Sequence, residues 1–379
     1  MGLLGDKYGL SRDNLILDPT GEDSDFYARR SRVNIGDLVE TLAIDLETGI
    51  APKRMLWGPY GSGKTHTLRK TLRELERLTP IFPVLVECPD MNKRSRFIDL
   101  YKDGIMPAMG EKTVIDLIEQ TVAPIPGRGS EIIAKVTKEF RNDEELAKAS
   151  LRLRDPNFDS TDLWTWISGV SVSGAMLKNL TQRENLADVT PARLAQILIT
   201  LGSLMKKHQK KTMVLVLDEM ERLEYLGEEG ITTFRTAFTG LTDPNQRFLS
   251  VLFGASASQL TNLPDAFGGK EGPVLSRLGP NRIEIPALID EDVDSFVTDL
   301  INHLRHPGAE VIRMCDDARN QTSEQISADL FPFTREAIDA IKASMKVITP
   351  REISLLMTRA LGRAYRNSRA CVTTVEVQP

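Results

Sequence analysis

Cysteine is scarce in this chain. Cys88, Cys315 and Cys371 are the only three in 379 residues, odd in number and far apart. That excludes a disulfide framework of the kind that staples small secreted domains. The four histidines show no metal-ligand spacing, so a zinc-type site is excluded as well. No apolar run approaches the roughly 20 residues needed to cross a bilayer. The first residues, Met1–Gly2–Leu3–Leu4–Gly5–Asp6, lack a basic stretch followed by an apolar one, so no secretion signal is read there. The expectation is a cytoplasmic protein with no membrane partner. A net charge of −5 argues against binding nucleic acid with the whole surface, and leaves a local basic patch open. Internal repeats and low-complexity segments are also missing. What is present is an ordinary globular balance, 41% hydrophobic and 27% charged, on a chain long enough for a full core and two domains.

One segment stands out against that background. Residues 54–57 read as a short apolar strand, and Gly58–Pro59–Tyr60–Gly61–Ser62–Gly63–Lys64–Thr65 follows the pattern G-x-x-x-x-G-K-T. A helix over 65–78 comes next. Glycines at 58, 61 and 63 let the backbone curl so that its N–H groups face phosphate oxygens, and the helix aims its positive end at them. Lys64 is expected to reach the β- and γ-phosphates of ATP, and the Thr65 hydroxyl to ligate Mg²⁺. Pro59, Tyr60, Ser62 and His66 complete the expected nucleotide contacts.

Periodicity organises the rest. A helix is predicted over 33–46, a buried strand over 82–88, and a long, mostly helical stretch over about 91–190 with segments at 113–122, 131–152 and 162–167. Pro191 opens a helix to about 208. Residues 212–217 form the most apolar strand, followed by strands at 248–254 and 282–285. Helices alone are expected from 290 onward, over 290–303, 334–345 and 350–368. The tail 372–377 is either a short strand or a frayed end. Strands alternating with helices indicate a parallel sheet covered on both faces.

Phosphate binding alone hydrolyses nothing, so a second strand must bring acids. The strand 213–217 ends on Asp218–Glu219. Asp218 is expected to hold a water on Mg²⁺, and Glu219 to act as general base on the attacking water.

With these two elements the chain resembles the AAA+ ATPases over roughly residues 26–370, and within them the origin-recognition initiators and the transposon target-selection ATPases. The resemblance implies an α/β fold: a doubly wound parallel-sheet P-loop NTPase core with a C-terminal all-helical lid. Residues 1–25 form an N-terminal arm, 26–288 the core with a helical insertion at about 91–190, and 289–379 the lid. It further implies that Ser256, after the strand 248–254, helps orient the water. The family often carries Asn there. Arg277, with Arg282 in reserve, reaches a neighbouring subunit's γ-phosphate. Arg351, near the start of the last long helix, contacts the γ-phosphate of its own subunit, with Thr349 as N-cap and Pro350 in the first turn. The run Arg29–Arg30–Ser31–Arg32 falls where the family contacts adenine or flanking DNA, and reads equally as a solvated turn.

Two features depart from the family. Lys64 and Asp218 lie farther apart than usual, and the extra length is the 91–190 stretch. Its start, Asn92–Lys93–Arg94–Ser95–Arg96–Phe97, either touches DNA phosphates in a channel or is a solvated loop. Trp164 and Trp166 suit a core or docking role. No winged-helix segment follows the lid helix, so sequence-specific DNA reading is not expected. That helix carries Arg359, Arg363 and Arg366 on one stripe, facing either a partner or solvent.

The expected function is an ATP-hydrolysing, Mg²⁺-dependent homo-oligomer, a ring or helical filament. It acts as a nucleotide-driven switch on double-stranded DNA or an effector protein, by analogy in a prokaryotic antiviral defence or mobile-element system. The rival is a nucleotide-gated scaffold with little turnover. A DNA-translocating motor ranks below both, and needs pore aromatics near Phe97 or Tyr101.

Overall fold

The structure is a computed structural model and describes residues 7–18, 21, 23, 26, 28, 33–268 and 272–378. The described residues fall into two bodies. One takes those within Met1–Leu38, Gly58–Thr71 and Glu284–Pro379; the other takes Val39–Trp57 and Leu72–Ile283.

The larger body is built on continuous apolar runs. β1 (Lys53–Gly58), β2 (Ile81–Glu87), β3 (Thr212–Asp218), β4 (Leu249–Ser256) and β5 (Arg282–Glu284) form one sheet in the order β2-β3-β4-β1-β5. All five run parallel. β3 is buried at every position and β4 at all but its last. Strands of that kind need cover on both faces, which parallel sheets receive from their crossover helices. The register pairs Ile81 with Thr212 through Glu87 with Asp218, and Met213 with Leu249 through Leu217 with Phe253. From β1 the chain crosses to the far edge at β2, then steps back through β3 and β4. It passes β1 on the other side to reach β5, so the winding reverses between β4 and β1. Such a reversal leaves a crevice at the carboxyl ends of the strands. The doubly wound parallel sheet expected from the sequence is present.

Helices α1 (Ile35–Glu47) and α2 (Lys64–Leu78) flank β1 in sequence. The stretch after β2 is helical as expected, with one difference. The helix predicted over 131–152 is two helices. α3 (Glu111–Val122) precedes α4 (Gly129–Glu139), which ends where Arg141 and Asn142 both take left-handed conformations, φ 54° and 67°. Asp143 then caps α5 (Glu144–Leu151) by accepting from the Leu146 N–H at 2.9 Å. Asp159 does the same for α6 (Ser160–Ile167) from Thr161 N–H. Thr190 caps α7 (Pro191–Gln209), which stops at the left-handed Lys210.

Phe97 and Tyr101 are fully buried. Phe97 meets Phe234 and Phe238 of α8 (Glu228–Leu241) edge-on, with centroids 5.6 and 6.2 Å away. Phe238 in turn packs on Phe253 and Phe267. The Tyr101 hydroxyl donates to Ile167 O at 2.9 Å. Neither residue is a pore aromatic, because each buries its ring in the core instead of presenting it to a channel. Trp166 is likewise buried, and its Nε1–H donates to Glu184 O.

In the smaller body, α9 (Asp290–Leu304), α10 (Val311–Arg319), α11 (Arg335–Ala343), α12 (Pro350–Arg366) and α13 (Thr374–Val377) follow β5. Their core holds Val293, Phe296, Leu300, Ile353, Met357 and Leu361, together with Tyr8, Leu10, Leu15 and Phe26 from the N-terminal segment. Asp23 ties that segment down: it accepts from Arg12 Nη2 and Asp18 N–H, both at 2.7 Å, and pairs with His303 of α9 at 2.9 Å. The tail is neither strand nor frayed end. Val372 bridges Phe333, and Thr373 and Glu376 cap α13 reciprocally.

Candidate functional site

The loop after β1 is shaped by close approach. A Cβ on Gly58 would lie 2.0 Å from Ile285 O, and one on Gly61 would lie 2.9 Å from Arg351 Cβ and 3.0 Å from Thr349 Oγ1. Gly61 and Gly63 take φ of 76° and 94°, conformations open mainly to glycine. Lys64, the first residue of α2, is 7% exposed, and its ammonium donates to Gly58 O at 3.1 Å and Pro59 O at 2.9 Å. The Ser62 hydroxyl is buried with no hydrogen-bond partner among the described residues. The first turn of a helix also leaves backbone N–H groups without intrahelical acceptors. A buried cation resting on loop carbonyls, an unsatisfied hydroxyl and a helix N-terminus together fit phosphate oxygens. Thr65 and His66 sit half-buried in the same first turn.

Arg351 is brought to this loop. Thr349 caps α12 by accepting from Glu352 N–H at 3.3 Å, and Pro350 occupies the first turn. The Arg351 guanidinium then lies 4.9 Å from the centroid of the Tyr60 ring. An apolar cleft of ≈ 30 Å³ opens beside the loop, lined by Leu17, Phe26, Ala28, Gly63, His66, Phe296 and Pro350. No sequence signal pointed to the cleft, because its walls come from segments more than 300 residues apart.

The acids at the end of β3 form a second constellation. Asp218 is 5% exposed and accepts from Glu219 N–H at 2.9 Å. Glu219 takes a left-handed conformation, φ 57° and ψ 35°. Parallel register sets Glu87 opposite Asp218, and Cys88 N–H donates to Asp218 O at 2.9 Å. Arg222, one turn on in the 3₁₀ segment Met220–Tyr225, pairs with Glu219, with Glu87 at 3.3 Å and with Asp90 at 3.5 Å, and donates to Cys88 O. Burial pushes the Glu219 carboxyl up to about 7; the Glu87 charge adds to the rise, and Arg222 opposes it. A carboxyl that titrates near neutrality suits a general base. Sequence reasoning singled out Asp218 and Glu219; it did not single out Glu87 and Arg222, which the structure sets beside them.

The remaining candidates stand apart. Ser256 closes β4, and its N–H donates to Glu221 Oε2 at 2.9 Å. Arg277, in the helix Pro273–Leu278, is exposed and donates to Thr239 O. Arg282 donates to Gly279 O at 2.7 Å. In the lid stripe, Arg359 and Arg366 are exposed, whereas Arg363 donates to Glu376 O at 3.0 Å and so closes the end of α13. Arg29–Arg30–Ser31–Arg32 lies outside the described residues. The three cysteines are buried free thiols, and burial pushes Cys88 up to about 12 and Cys371 up to about 11, away from the thiolate form. Among the described residues no three His, Cys, Asp or Glu side chains gather as an all-protein metal site. Magnesium is ordinarily held by one or two protein oxygens plus phosphates, and Thr65 and Asp218 are donors of that type.

No family model and no curated protein matches the chain. Several solved structures are similar to this chain over most of its length at low identity. The Orc1 protein of Aeropyrum pernix in complex with DNA is 15% identical over 93% of this chain, with a TM-score of 0.44. Drosophila ORC bound to DNA is 13% identical over 99%, with a TM-score of 0.46. Cdc6p from Pyrobaculum aerophilum is 14% identical over 94%, with a TM-score of 0.43 and 68% of that chain covered. The present chain spans 64% and 63% of the first two.

Proposed function

We propose that this chain is an AAA+ ATPase that binds ATP with Mg²⁺ through Gly58–Thr65. It acts as an oligomeric, nucleotide-driven switch assembling on double-stranded DNA or on a partner protein. The observation that carries the reading is the loop itself, where buried Lys64 rests on the Gly58 and Pro59 carbonyls beside the unsatisfied Ser62 hydroxyl. Phosphate oxygens take over from those carbonyls when the nucleotide binds. The loop N–H groups and Ser62 hold the triphosphate, and Arg351 moves from the Tyr60 ring to the γ-phosphate. The base enters the cleft beside His66, which is smaller than a purine, so Phe26 or Pro350 gives way. Thr65 and Asp218 would hold the magnesium, which would supply charge neutralisation at the phosphates. Ionised Glu219 accepts a proton from water as the water oxygen bonds to the γ-phosphorus and the bond to the β–γ bridging oxygen breaks. Ser256 orients that water, and Arg277 serves the neighbouring subunit's nucleotide. A prokaryotic defence or mobile-element setting is part of this reading by analogy alone.

Steady-state ATP hydrolysis with and without double-stranded DNA, with Lys64→Ala as the blank, tests it. We expect turnover well above the blank and stimulation by DNA. Turnover equal to the blank overturns the enzyme. Turnover indifferent to DNA assigns the switch to a partner protein. One observation favours the scaffold instead: Glu219 is held by Arg222 in a left-handed turn. The scaffold predicts tight ATP binding in the same samples without turnover.

A further inference from the structure

The lid carries a groove of ≈ 730 Å³ with an apolar floor that includes Leu355, Leu356 and Val377. Val347 at its edge is 50% exposed. Lys346 and Arg359 rim it, together with the exposed Glu352, and among the described residues neither base has a carboxylate within ion-pair distance. Exposed apolar surface framed by unpaired charge marks a protein contact. The larger body carries an exposed aromatic. Tyr225, at the end of the 3₁₀ segment that begins after Glu219, is 60% exposed. Glu224 and Glu228 flank it, both exposed, and neither is ion-paired among the described residues.

We infer that the lid groove of one copy receives the Tyr225 knob of a second copy, with Glu224 and Glu228 meeting Lys346 and Arg359. The inference rests on the oligomer reading above and names its surface. Unpaired acids around an exposed aromatic, set against Lys346 and Arg359 on the rim of the groove, give the match in charge and polarity, with Glu352 the one exposed acid in the groove lining. The two surfaces differ, so the contact pairs the groove of one copy with the knob of another. Docking also grips the segment that carries Arg222, and thereby the ion pair on Glu219.

Two double variants test it: Lys346→Glu with Arg359→Glu, and Glu224→Lys with Glu228→Lys. Sedimentation velocity with a non-hydrolysable ATP analogue reports assembly, and a fluorescent ATP analogue reports nucleotide binding and folding. We expect each variant alone to associate at least about tenfold more weakly than wild type while still binding nucleotide. An equimolar mixture should assemble again, because each reversed groove then meets a reversed knob. Wild-type assembly by the groove variant alone overturns the surface and leaves the oligomer reading standing. A mixture that stays apart overturns the pairing. A wild-type chain that stays monomeric with nucleotide overturns both.

Discussion

The two charged constellations are built on opposite principles. The loop after β1 is fixed by shape: glycines stand where a Cβ would lie within about 3 Å of Ile285 O or of the Arg351 side chain, and Lys64 donates to two loop carbonyls. The end of β3 is fixed by charge: Glu219, Glu87 and Asp90 share one arginine, Arg222, beside Asp218. Errors in shape should therefore weaken binding, whereas errors in charge should leave binding intact and move the rate or its pH dependence.

The largest expected effect is Glu219→Gln, which should lower turnover by about 10² to 10⁴ with nucleotide affinity unchanged. Unchanged turnover would place the base elsewhere. Gly58→Ala comes next. A methyl group 2.0 Å from Ile285 O must displace backbone, so nucleotide should bind about tenfold to a hundredfold more weakly, measurable by titration calorimetry. Third is pH. Glu219 must be ionised to accept a proton, so turnover should fall as pH drops below about 7. Arg222→Met removes the charge that favours the carboxylate and should move that midpoint upward, whereas Glu87→Gln removes a repulsion and should move it downward. Midpoints unmoved by either variant would dissolve the charge cluster as a functional unit.

The smallest effect concerns the N-terminal segment. Burial of Asp23 disfavours its charge, but hydrogen bonds from Arg12, Asp18 N–H and His303 outweigh it and hold the carboxyl below its usual range. A depressed carboxyl contributes stability above its unfolded pKa of about 3.9, and that stability is lost as pH falls through the lower folded value. Asp23→Asn should therefore lower Tm at pH 7, and the gap to wild type should close in strongly acidic solution. A gap that persists there would mean that packing, not charge, anchors the segment.

The sequence made the loop and the Asp218–Glu219 strand legible because each is a contiguous run whose chemistry and context coincide. Glu87 was not legible, since its role depends on parallel register with a strand 125 residues later, which no local pattern encodes. Arg222 hid in a 3₁₀ turn, where one-turn spacing differs from the α-helical spacing sought. The break at Arg141–Asn142 has no glycine or proline to announce it. The helix Val311–Arg319 buries only Cys315 and Ala318, too few apolar positions to show a period. The N-terminal segment reads as polar, yet it delivers Tyr8, Leu10 and Leu15 to a core.

Lys64 resting on its own loop's carbonyls has a consequence for ligand choice. Binding there is an exchange of partners, not the filling of a gap, so an incoming group must outbid two neutral oxygens for one ammonium. A neutral or weakly charged oxygen gains nothing by that exchange, whereas the densely charged end of a triphosphate gains a great deal. On the proposed reading, the resting loop is a threshold that filters by charge density, turning away nucleosides and admitting nucleotides with a full phosphate chain.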